Sequence, residues 1–142
     1  MRTSNATATW SGSLAEGSGE FSADSGAFSG EYSFGTRFAK EPGTNPEELI
    51  AAAHASCFSM ALSLALGEEG YEPEEITTDA ECTMGEVDGD PTITEVRLHT
   101  RARVPDVDEE TFRAVAQAAK EGCPVSRALT GNLEIHLDAE LR

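Results

Sequence analysis

Two of the three cysteines in this chain stand where a thiol could react. Cys57 lies within the charge-free run HASCFSMAL, and Cys123 precedes a proline in EGCPVS. A cysteine buried among apolar residues usually behaves as an inert hydrophobe. A cysteine at the start of a helix is different, because the unpaired backbone amides there stabilise its thiolate. If the fold brings the two together, one thiol can attack an oxidant and the other can close a disulfide.

A reactive Cys57 would need partners, because removal from water favours the neutral thiol unless a cation lies nearby. Arg37, set among aromatic residues in SFGTRFAK, could be that cation or a surface arginine whose stem covers apolar neighbours. His54 precedes Cys57 by three residues on the same helical face, so it could be a base or a hydrogen-bonded core histidine. A third alternative is a metal ion held by His54, Cys57 and Cys123.

Composition restricts the partners and the compartment. The net charge is -16, with 26 acidic residues against 10 Lys and Arg, which argues against binding to nucleic acid or to an anionic membrane. The segment MRTSNATATW lacks the basic and then apolar pattern of a signal peptide, so we expect a cytoplasmic protein. An odd number of cysteines in that reducing compartment disfavours a structural disulfide framework. A chain of 142 residues predicts one domain.

The first elements along the chain follow from turn signals and helix-start signals. Through Phe38, short alternating runs separated by SGS, GSG and DSG predict a meander of β-strands. Residues 39–44 predict a loop. Asn45, Pro46 and Glu48 then have the spacing of a helix N-cap, a first helical turn and a capping box.

The helix that begins there contains a long stretch, Leu49 to Leu66, without any charge. Its length would suffice to cross a membrane. Its Ala and Ser content, its histidine and its acidic flanks favour instead a helix buried all round at the centre of a fold. One such helix needs more cover than a single small sheet provides, so we expect a second copy of the chain to share it in a homodimer.

The remainder of the chain predicts strands over 76–84 and 93–104, the second with alternating apolar and basic residues. Asp108 has the position of an N-cap for an amphipathic helix that ends at Gly122. The segment CPVSRAL predicts a short helical piece, and the alternation in 133–141 predicts a closing strand.

Three blocks of the sequence resemble the OsmC branch of the OsmC/Ohr thiol peroxidases. They are TRF at 36–38, GTNPEELIAAAHASCFSMALSLALGEEG at 43–70 and AKEGCPVSRAL at 119–129. The resemblance implies one OsmC-like domain over 1–142 with an α+β fold, in which antiparallel β-sheets wrap around central helices in an intertwined homodimer. It also implies the reduction of organic hydroperoxides, and of hydrogen peroxide, in defence against oxidative and osmotic stress.

The same resemblance implies roles for individual residues. Cys57 corresponds to the peroxidatic cysteine and Cys123 to the resolving cysteine. Arg37 corresponds to the arginine that stabilises the thiolate and orients the peroxide, and Glu47 to the acid that pairs with this arginine. Cys82 lies outside the three blocks and is interpreted as a bystander. The implied cycle uses no bound cofactor, and an external dithiol, of lipoyl type in relatives, reduces the Cys57–Cys123 disulfide.

Helix geometry adds one constraint to these roles. Glu47 and Cys57 are ten residues apart, about 15 Å along a straight helix. They cannot easily share a site within one chain. We therefore expect a composite site, with Cys57 and Cys123 from one chain and Arg37 and Glu47 from the other.

Two questions stay open at this point. Apolar side chains near the motifs could line a peroxide pocket or fill the core; the candidates are Phe34, Phe38, Phe58 and Met60. The chain could also be a non-redox binding or transport protein that uses its apolar helix as a lipid-like pocket. In that case both cysteines would be dispensable.

Overall fold

The computed structural model describes residues 1–142, which group into two compact units, Met1–Leu49 and Ile50–Arg142. The helix α2 runs across the boundary between them. In chain order the elements are β1 Ala6–Ser11, β2 Ser18–Ala23, β3 Ser29–Tyr32, α1 Phe34–Phe38, α2 Pro46–Glu68, β4 Glu75–Val87, β5 Asp90–Arg103, α3 Glu109–Gly122, α4 Pro124–Leu129 and β6 Glu134–Leu141.

The first unit is built on an antiparallel sheet with the strand order β1-β2-β3, which confirms the predicted meander as far as Tyr32. The rings of Trp10 and Tyr32 lie 5.6 Å apart between centroids. Gly19 is paired with both residues in register, and their rings close over it. A Cβ at Gly19 would come within 2.8 Å of atoms in both rings, so the aromatic contact requires a glycine there.

The meander ends earlier than predicted, because Phe34–Phe38 forms the short helix α1 rather than a strand. Ser33 is its N-cap. The Ser33 hydroxyl accepts the Thr36 N–H at 3.2 Å, and the Thr36 hydroxyl accepts the Ser33 N–H at 2.9 Å. This reciprocal capping box outweighs the strand preference of the two phenylalanines. Arg37 therefore lies on a helical turn.

The start of α2 matches the prediction in position but only partly in its capping. The side-chain oxygen of Asn45 accepts the Glu48 N–H at 2.8 Å, as an N-cap does. The Glu48 carboxylate does not complete the predicted box. It accepts the Thr44 hydroxyl at 2.9 Å, because that neighbouring donor is within its reach.

Only one face of α2 is covered within this chain. Phe58, Leu62 and Leu66 have no exposed surface, whereas Met60 and Leu64 are 76% and 66% exposed. One chain therefore does not cover α2 all round, in line with the expectation that a single small sheet provides too little cover, and burial of the open face by a second copy stays a prediction. By length and composition α2 would also suffice to cross a bilayer. Its most apolar 18-residue stretch has a mean hydropathy of 1.8, and 22% of that stretch is buried within the chain.

The sheet of the second unit has the order β4-β5-β6. β4 and β5 pair antiparallel, but β6 joins β5 in parallel, which corrects the expectation of purely antiparallel sheets. The reason is the connection: α3 and α4 lie between β5 and β6 and carry the chain back to the end at which β5 begins.

The predicted alternation of β5 is confirmed. Its buried face, with Val96, Leu98 and Ala102, contributes to one core with Phe58 of α2 and Phe112 of α3. Its other face carries basic residues, which meet carboxylates of the two neighbouring strands. These ion pairs are Arg101–Asp79 at 2.7 Å, Arg103–Glu75 at 3.0 Å and His99–Asp138 at 2.7 Å.

A chain of hydroxyl groups crosses the core beneath α2. Thr100 of β5 has no exposed surface, and its Oγ1 lies 3.0 Å from the Oγ1 of Thr78 on β4. Thr78 in turn accepts the Ser59 hydroxyl of α2 at 2.8 Å. Each buried hydroxyl therefore has a partner, and α2 is held at a defined position over the sheet.

The N-cap predicted for α3 is confirmed. Asp108 Oδ1 accepts the Thr111 N–H at 2.7 Å, and Asp108 Oδ2 accepts the Thr111 hydroxyl at 3.0 Å. These hydrogen bonds from Thr111, first from its backbone and then from its side chain, lower the pKa of the Asp108 carboxyl from its ordinary value. Phe112 follows directly and enters the core.

The core position of Phe112 predicts a large effect on stability. Phe112 has no exposed surface, so Phe112→Ala should lower the free energy of unfolding by about 3–5 kcal/mol, through lost burial and a cavity. Arg113→Ala is the matched control, since it removes only an exposed i,i+4 ion pair with Glu109 and should cost under about 0.5 kcal/mol. Urea unfolding at one protein concentration measures both. Equal losses in the two variants would contradict this assignment of the core.

Candidate active site

The structure brings together the two thiols that the sequence singled out, both in the second unit. Cys57 lies on α2, and the Cys123 thiol is close enough to act on the Cys57 thiol and raise its pKa. The backbone N–H of Val125 also donates to the Cys57 sulfur. Cys123 has no exposed surface, while Cys57 is partly exposed. The pair therefore consists of one partly exposed cysteine and one enclosed cysteine.

Cys123 lies at the predicted break between two helices, α3 and α4. Its N–H donates to the Ala119 carbonyl at 2.9 Å and so closes α3, while its own carbonyl accepts the Arg127 N–H at 2.9 Å in α4. Pro124 occupies the first turn of α4, where its missing N–H is not needed. Cys123 thus belongs to both helices and is held firmly by the backbone.

Burial is the main influence on the Cys57 thiol and raises its pKa from the ordinary value. The Val125 N–H opposes this by stabilising the thiolate, and the neighbouring Cys123 thiol raises the pKa further. None of these influences is a positive charge. Cys57 therefore needs a cation from elsewhere before much of it is ionised at neutral pH.

The first unit contains a positively charged side chain, Arg37, that is paired with the carboxylate of Glu47. Nη2 of Arg37, on α1, lies 2.7 Å from Oε1 of Glu47 in the first turn of α2, and Nε lies 3.1 Å from the same oxygen. Glu47 is 7% exposed, and the Arg37 guanidinium also lies 5.4 Å from the centre of the Phe38 ring. The two-nitrogen contact and the ring hold the guanidinium in one orientation.

The four predicted residues thus form two pairs, a thiol pair in the second unit and an ion pair in the first. Glu47 and Cys57 share α2, which is continuous from Pro46 to Glu68. Their separation along its axis is about 15 Å, as the sequence predicted.

An apolar pocket of about 310 Å³ adjoins Arg37 in the first unit. The rings of Phe34 and Phe38, 5.0 Å apart, form part of its wall together with Trp10 and Leu14. Two other candidate wall residues lie elsewhere: Phe58 is enclosed in the core, and Met60 lies on the uncovered face of α2.

His54 is a buried histidine whose partner was not predicted. Its Nε2 lies 2.7 Å from Oγ of Ser126 on α4, and neither residue is more than 1% exposed. Its Nδ1 is buried and has no hydrogen-bond partner. Burial lowers the pKa of His54 from its ordinary value, so the ring is neutral near pH 7. The core-histidine interpretation is the one this geometry supports.

Sequence reasoning missed Ser126, although a signal was present. Ser126 follows Cys123 by three residues, and His54 precedes Cys57 by three. On two helices that bring their cysteines together, these offsets each amount to nearly one turn, so the two side chains could meet beside the thiols.

The metal alternative at His54, Cys57 and Cys123 is not supported by the geometry, because the ligand atoms of these three residues do not form a group within 4.8 Å of one another. The His, Cys and carboxylate ligand atoms that do converge, within 4.8 Å, belong to Glu95, Glu134 and His136 on the outer face of the second sheet. His136 Nε2 lies 3.3 Å from both carboxylates, which is the geometry of an exposed ion pair.

An α+β fold with one thiol on the long helix α2, a second thiol between α3 and α4, and an Arg–Glu pair at the start of α2 has the features expected of OsmC/Ohr thiol peroxidases. The family described as OsmC-like protein matches residues 39–138, and the chain belongs to that family.

Named relatives agree with this assignment. Peroxiredoxin OsmC of Escherichia coli K12 is 48% identical over 136 residues, which cover 95% of this chain and 94% of that protein. The organic hydroperoxide resistance protein OhrB of Bacillus subtilis is 33% identical over 99 residues, or 69% of this chain and 71% of OhrB.

Solved structures show the same fold. The organic hydroperoxide resistance protein of Elizabethkingia anophelis superposes with a TM-score of 0.81 at 31% identity, covering 100% of this chain and 98% of that one. OhrB of B. subtilis superposes with a TM-score of 0.67 at 30% identity, covering 97% and 98%. The predicted OsmC/Ohr-like α+β fold is confirmed, and so, at the level of the family, is the prediction of a thiol-dependent peroxidase.

The buried neutral state of His54 predicts how stability depends on pH. As the pH falls below about 6.5, the ordinary histidine pKa, the unfolded chain binds a proton at His54 that the folded chain resists. The folded state should therefore lose stability with falling pH, with a slope from this residue of at most about 1.4 kcal/mol per pH unit.

The measurement is the free energy of unfolding by urea between pH 8 and 5, for wild type and His54→Gln. Subtracting the free energy of unfolding of His54→Gln from that of wild type at each pH removes the contributions of the carboxylates and of the exposed His99 and His136. The stability of wild type relative to His54→Gln should decline as the pH falls below 6.5. A constant difference across the range would contradict the neutral buried ring.

Proposed function

We propose that this protein reduces organic hydroperoxides, and hydrogen peroxide, with Cys57 as the peroxidatic cysteine and Cys123 as the resolving cysteine. The observation that carries the proposal is the contact between a partly exposed thiol and an enclosed one. The relatives supply the substrate class, since they are named peroxiredoxin and organic hydroperoxide resistance proteins. Defence against oxidative and osmotic stress, in the cytoplasm, follows as the expected setting.

The chemistry proceeds in three balanced steps. The Cys57 thiolate attacks the terminal peroxide oxygen, the O–O bond breaks, and the alkoxide takes a proton and leaves as an alcohol. Cys57 is now a sulfenic acid. The Cys123 thiol attacks its sulfur, forming the Cys57–Cys123 disulfide and releasing water. An external dithiol, of lipoyl type, then reduces the disulfide by exchange and is itself oxidised. Sulfur carries out every step, so no prosthetic group is required.

The missing cation motivates the second part of the proposal, a site shared between two chains. Cys57 is buried without a positive charge among the groups that shift its pKa, while Arg37 is held by Glu47 at the far end of the α2 segment that joins them. In a homodimer the partner's Arg37 lowers the pKa of Cys57 and orients the peroxide, with Glu47 fixing the guanidinium. The uncovered apolar face of α2, with Met60 and Leu64, is the surface available to a second copy.

The pocket beside Arg37 suits the apolar part of a hydroperoxide. It is lined mainly by apolar and aromatic side chains, with Arg37 as its one charged residue, and its volume of about 310 Å³ lies at the lower end for small-molecule sites. A peroxide whose oxygens reach the guanidinium would place its hydrocarbon part between Phe34, Phe38 and Trp10.

The first test is peroxide consumption with a dithiol reductant, using cumene hydroperoxide. Cys57→Ser should lose at least about a thousandfold in turnover, because it removes the nucleophile. Cys123→Ser should accumulate sulfinic acid at Cys57 under excess peroxide, because without the neighbouring thiol a second peroxide molecule can oxidise the sulfenic acid before the external dithiol reduces it. Cys82→Ser is the control and should keep wild-type turnover. Unchanged turnover in Cys57→Ser would overturn the proposal and favour a non-redox binding function.

The second test asks whether the site is composite, with mixed dimers of a Cys57→Ser chain and an Arg37→Ala chain, isolated by two different tags. Each parent dimer should be inactive. The mixed dimer has one site that combines an intact Cys57 with an intact partner Arg37, so it should recover about half of the wild-type activity.

A mixed dimer of Cys57→Ser and Cys123→Ser chains is the matched control. Both changes fall within the thiol half of the site, so neither site of that dimer is complete and disulfide turnover should not recover. Absence of recovery in the Cys57→Ser and Arg37→Ala dimer would show that each chain builds its site alone.

A further inference from the structure

The hydrogen bond between His54 and Ser126 runs beside the thiol pair and joins the same two helices. His54 lies nearly one turn before Cys57 on α2, and Ser126 nearly one turn after Cys123 on α4. Their contact of 2.7 Å is enclosed, with exposures of 0% and 1%. The two helices are thus connected at two points less than one turn apart, one made by the thiols and one by this pair.

α4 depends on this connection more than a longer helix would. It has six residues, too few to be stable without tertiary contacts, and Ser126 is its buried residue. Cys123 at its N-terminus is fixed by the end of α3. A second fixed point is needed to set the direction of the helix, and with it the positions of the Cys123 sulfur and the Val125 N–H.

The imidazole gains less free energy from its own hydrogen bonding than a fully satisfied group would. Its buried Nδ1 has no partner and therefore costs desolvation free energy, whereas an apolar side chain in the same volume would leave no polar atom unsatisfied. What the histidine supplies, and an apolar residue cannot, is one directed contact that selects a single arrangement of α4 on α2.

We propose that His54 and Ser126 are positioning residues for the resolution step, holding α4 on α2 so that the Cys123 sulfur faces Cys57. The inference rests on the proposed roles of the two cysteines. Neither residue takes part in the bond changes. Cys123 attacks the Cys57 sulfenic sulfur, the S–O bond breaks, and the hydroxyl leaves as water with the Cys123 proton. The hydrogen bond between His54 and Ser126, called the clamp below, acts by keeping the two sulfurs at short range during that step.

The first arm of the test measures closure of the disulfide without any peroxide. The reduced protein is equilibrated with mixtures of reduced and oxidised glutathione, and the Cys57–Cys123 disulfide is quantified on its peptides by mass spectrometry. This gives the effective concentration of Cys123 towards Cys57. Ser126→Ala removes one partner of the bond and should lower that value roughly threefold to tenfold, the range for one lost hydrogen bond.

Two substitutions at His54 separate a directed contact from simple packing. The terminal amide of a glutamine reaches the place of Nε2, whereas that of an asparagine ends near Nδ1. His54→Gln should therefore keep most of the wild-type effective concentration, and His54→Asn should lose as much as Ser126→Ala. The double variant His54→Asn/Ser126→Ala should lose no more than either single variant, because both remove the same bond.

Thr130→Val is the matched control for loss of a hydrogen bond at α4. The Thr130 hydroxyl donates to the Ser126 carbonyl at 2.7 Å within the α4 segment and does not reach α2. Its removal should lower the free energy of unfolding without changing the effective concentration. If Ser126→Ala does not fold, the contrast between His54→Gln and His54→Asn decides the question.

The second arm repeats the comparison with an excess of cumene hydroperoxide, so that a second peroxide molecule can oxidise any unresolved sulfenic acid, and scores Cys57 sulfinic acid against disulfide. Slower resolution should raise the sulfinic fraction in Ser126→Ala and His54→Asn above that in wild type and Thr130→Val. If Ser126→Ala and His54→Asn both have the wild-type effective concentration of Cys123 towards Cys57, the clamp is overturned. Normal closure with glutathione but no reaction with peroxide in wild type would instead overturn the proposed function and leave the clamp standing.

Discussion

The burial of one face of α2 against the second sheet is the interaction on which the rest of the structure depends. Phe58, Leu62 and Leu66 enter the core completely, and the Ser59 hydroxyl adds a directed bond to β4. This seating fixes the rotation of the helix. Cys57 and His54 then necessarily point towards α4, while Met60 and Leu64 necessarily point away from the core. Thiol placement and the uncovered apolar face are consequences of one packing event.

The second constraint is the charge state of the Cys57 thiol. A thiol in an apolar setting is hard to ionise, and the assigned cation, Arg37, is paired with Glu47 in the first turn of α2, ten residues before Cys57 in the sequence. In the proposed homodimer the partner would bring its own Arg37–Glu47 pair to a thiol that has no positive charge of its own. The Glu47 carboxylate orients the guanidinium and still leaves donors available for another ligand. Arg37 has five N–H donors, and Glu47 contacts only two of its nitrogens.

Much of the fold and both cysteine environments could be predicted because their signals are local. Asn45, Asp108 and Pro124 mark helix starts through bonds made within a few residues, and the structure contains each helix there. The alternation of apolar and basic residues in β5 likewise indicates which face of the strand is buried and which is exposed. The failures were of two kinds. At Phe34–Phe38 one local signal outweighed another, since the Ser33–Thr36 capping box prevailed over two aromatic residues. The parallel direction of β6 follows from the α3–α4 crossover, which brings together strands that are distant in sequence and leaves no local signal of their direction.

By itself the sequence determined which residues are candidates for chemistry, where most helices begin, and that α2 has more apolar surface than a small sheet can cover. Those properties depend on residue type and on neighbours a few positions away. Only the tertiary structure decided that the two thiols meet, that Ser126 contacts His54, and which face of α2 stays open. Such contacts join residues separated by 66 to 72 positions, and their formation depends on how α2 and α4 are packed together, which no local pattern records.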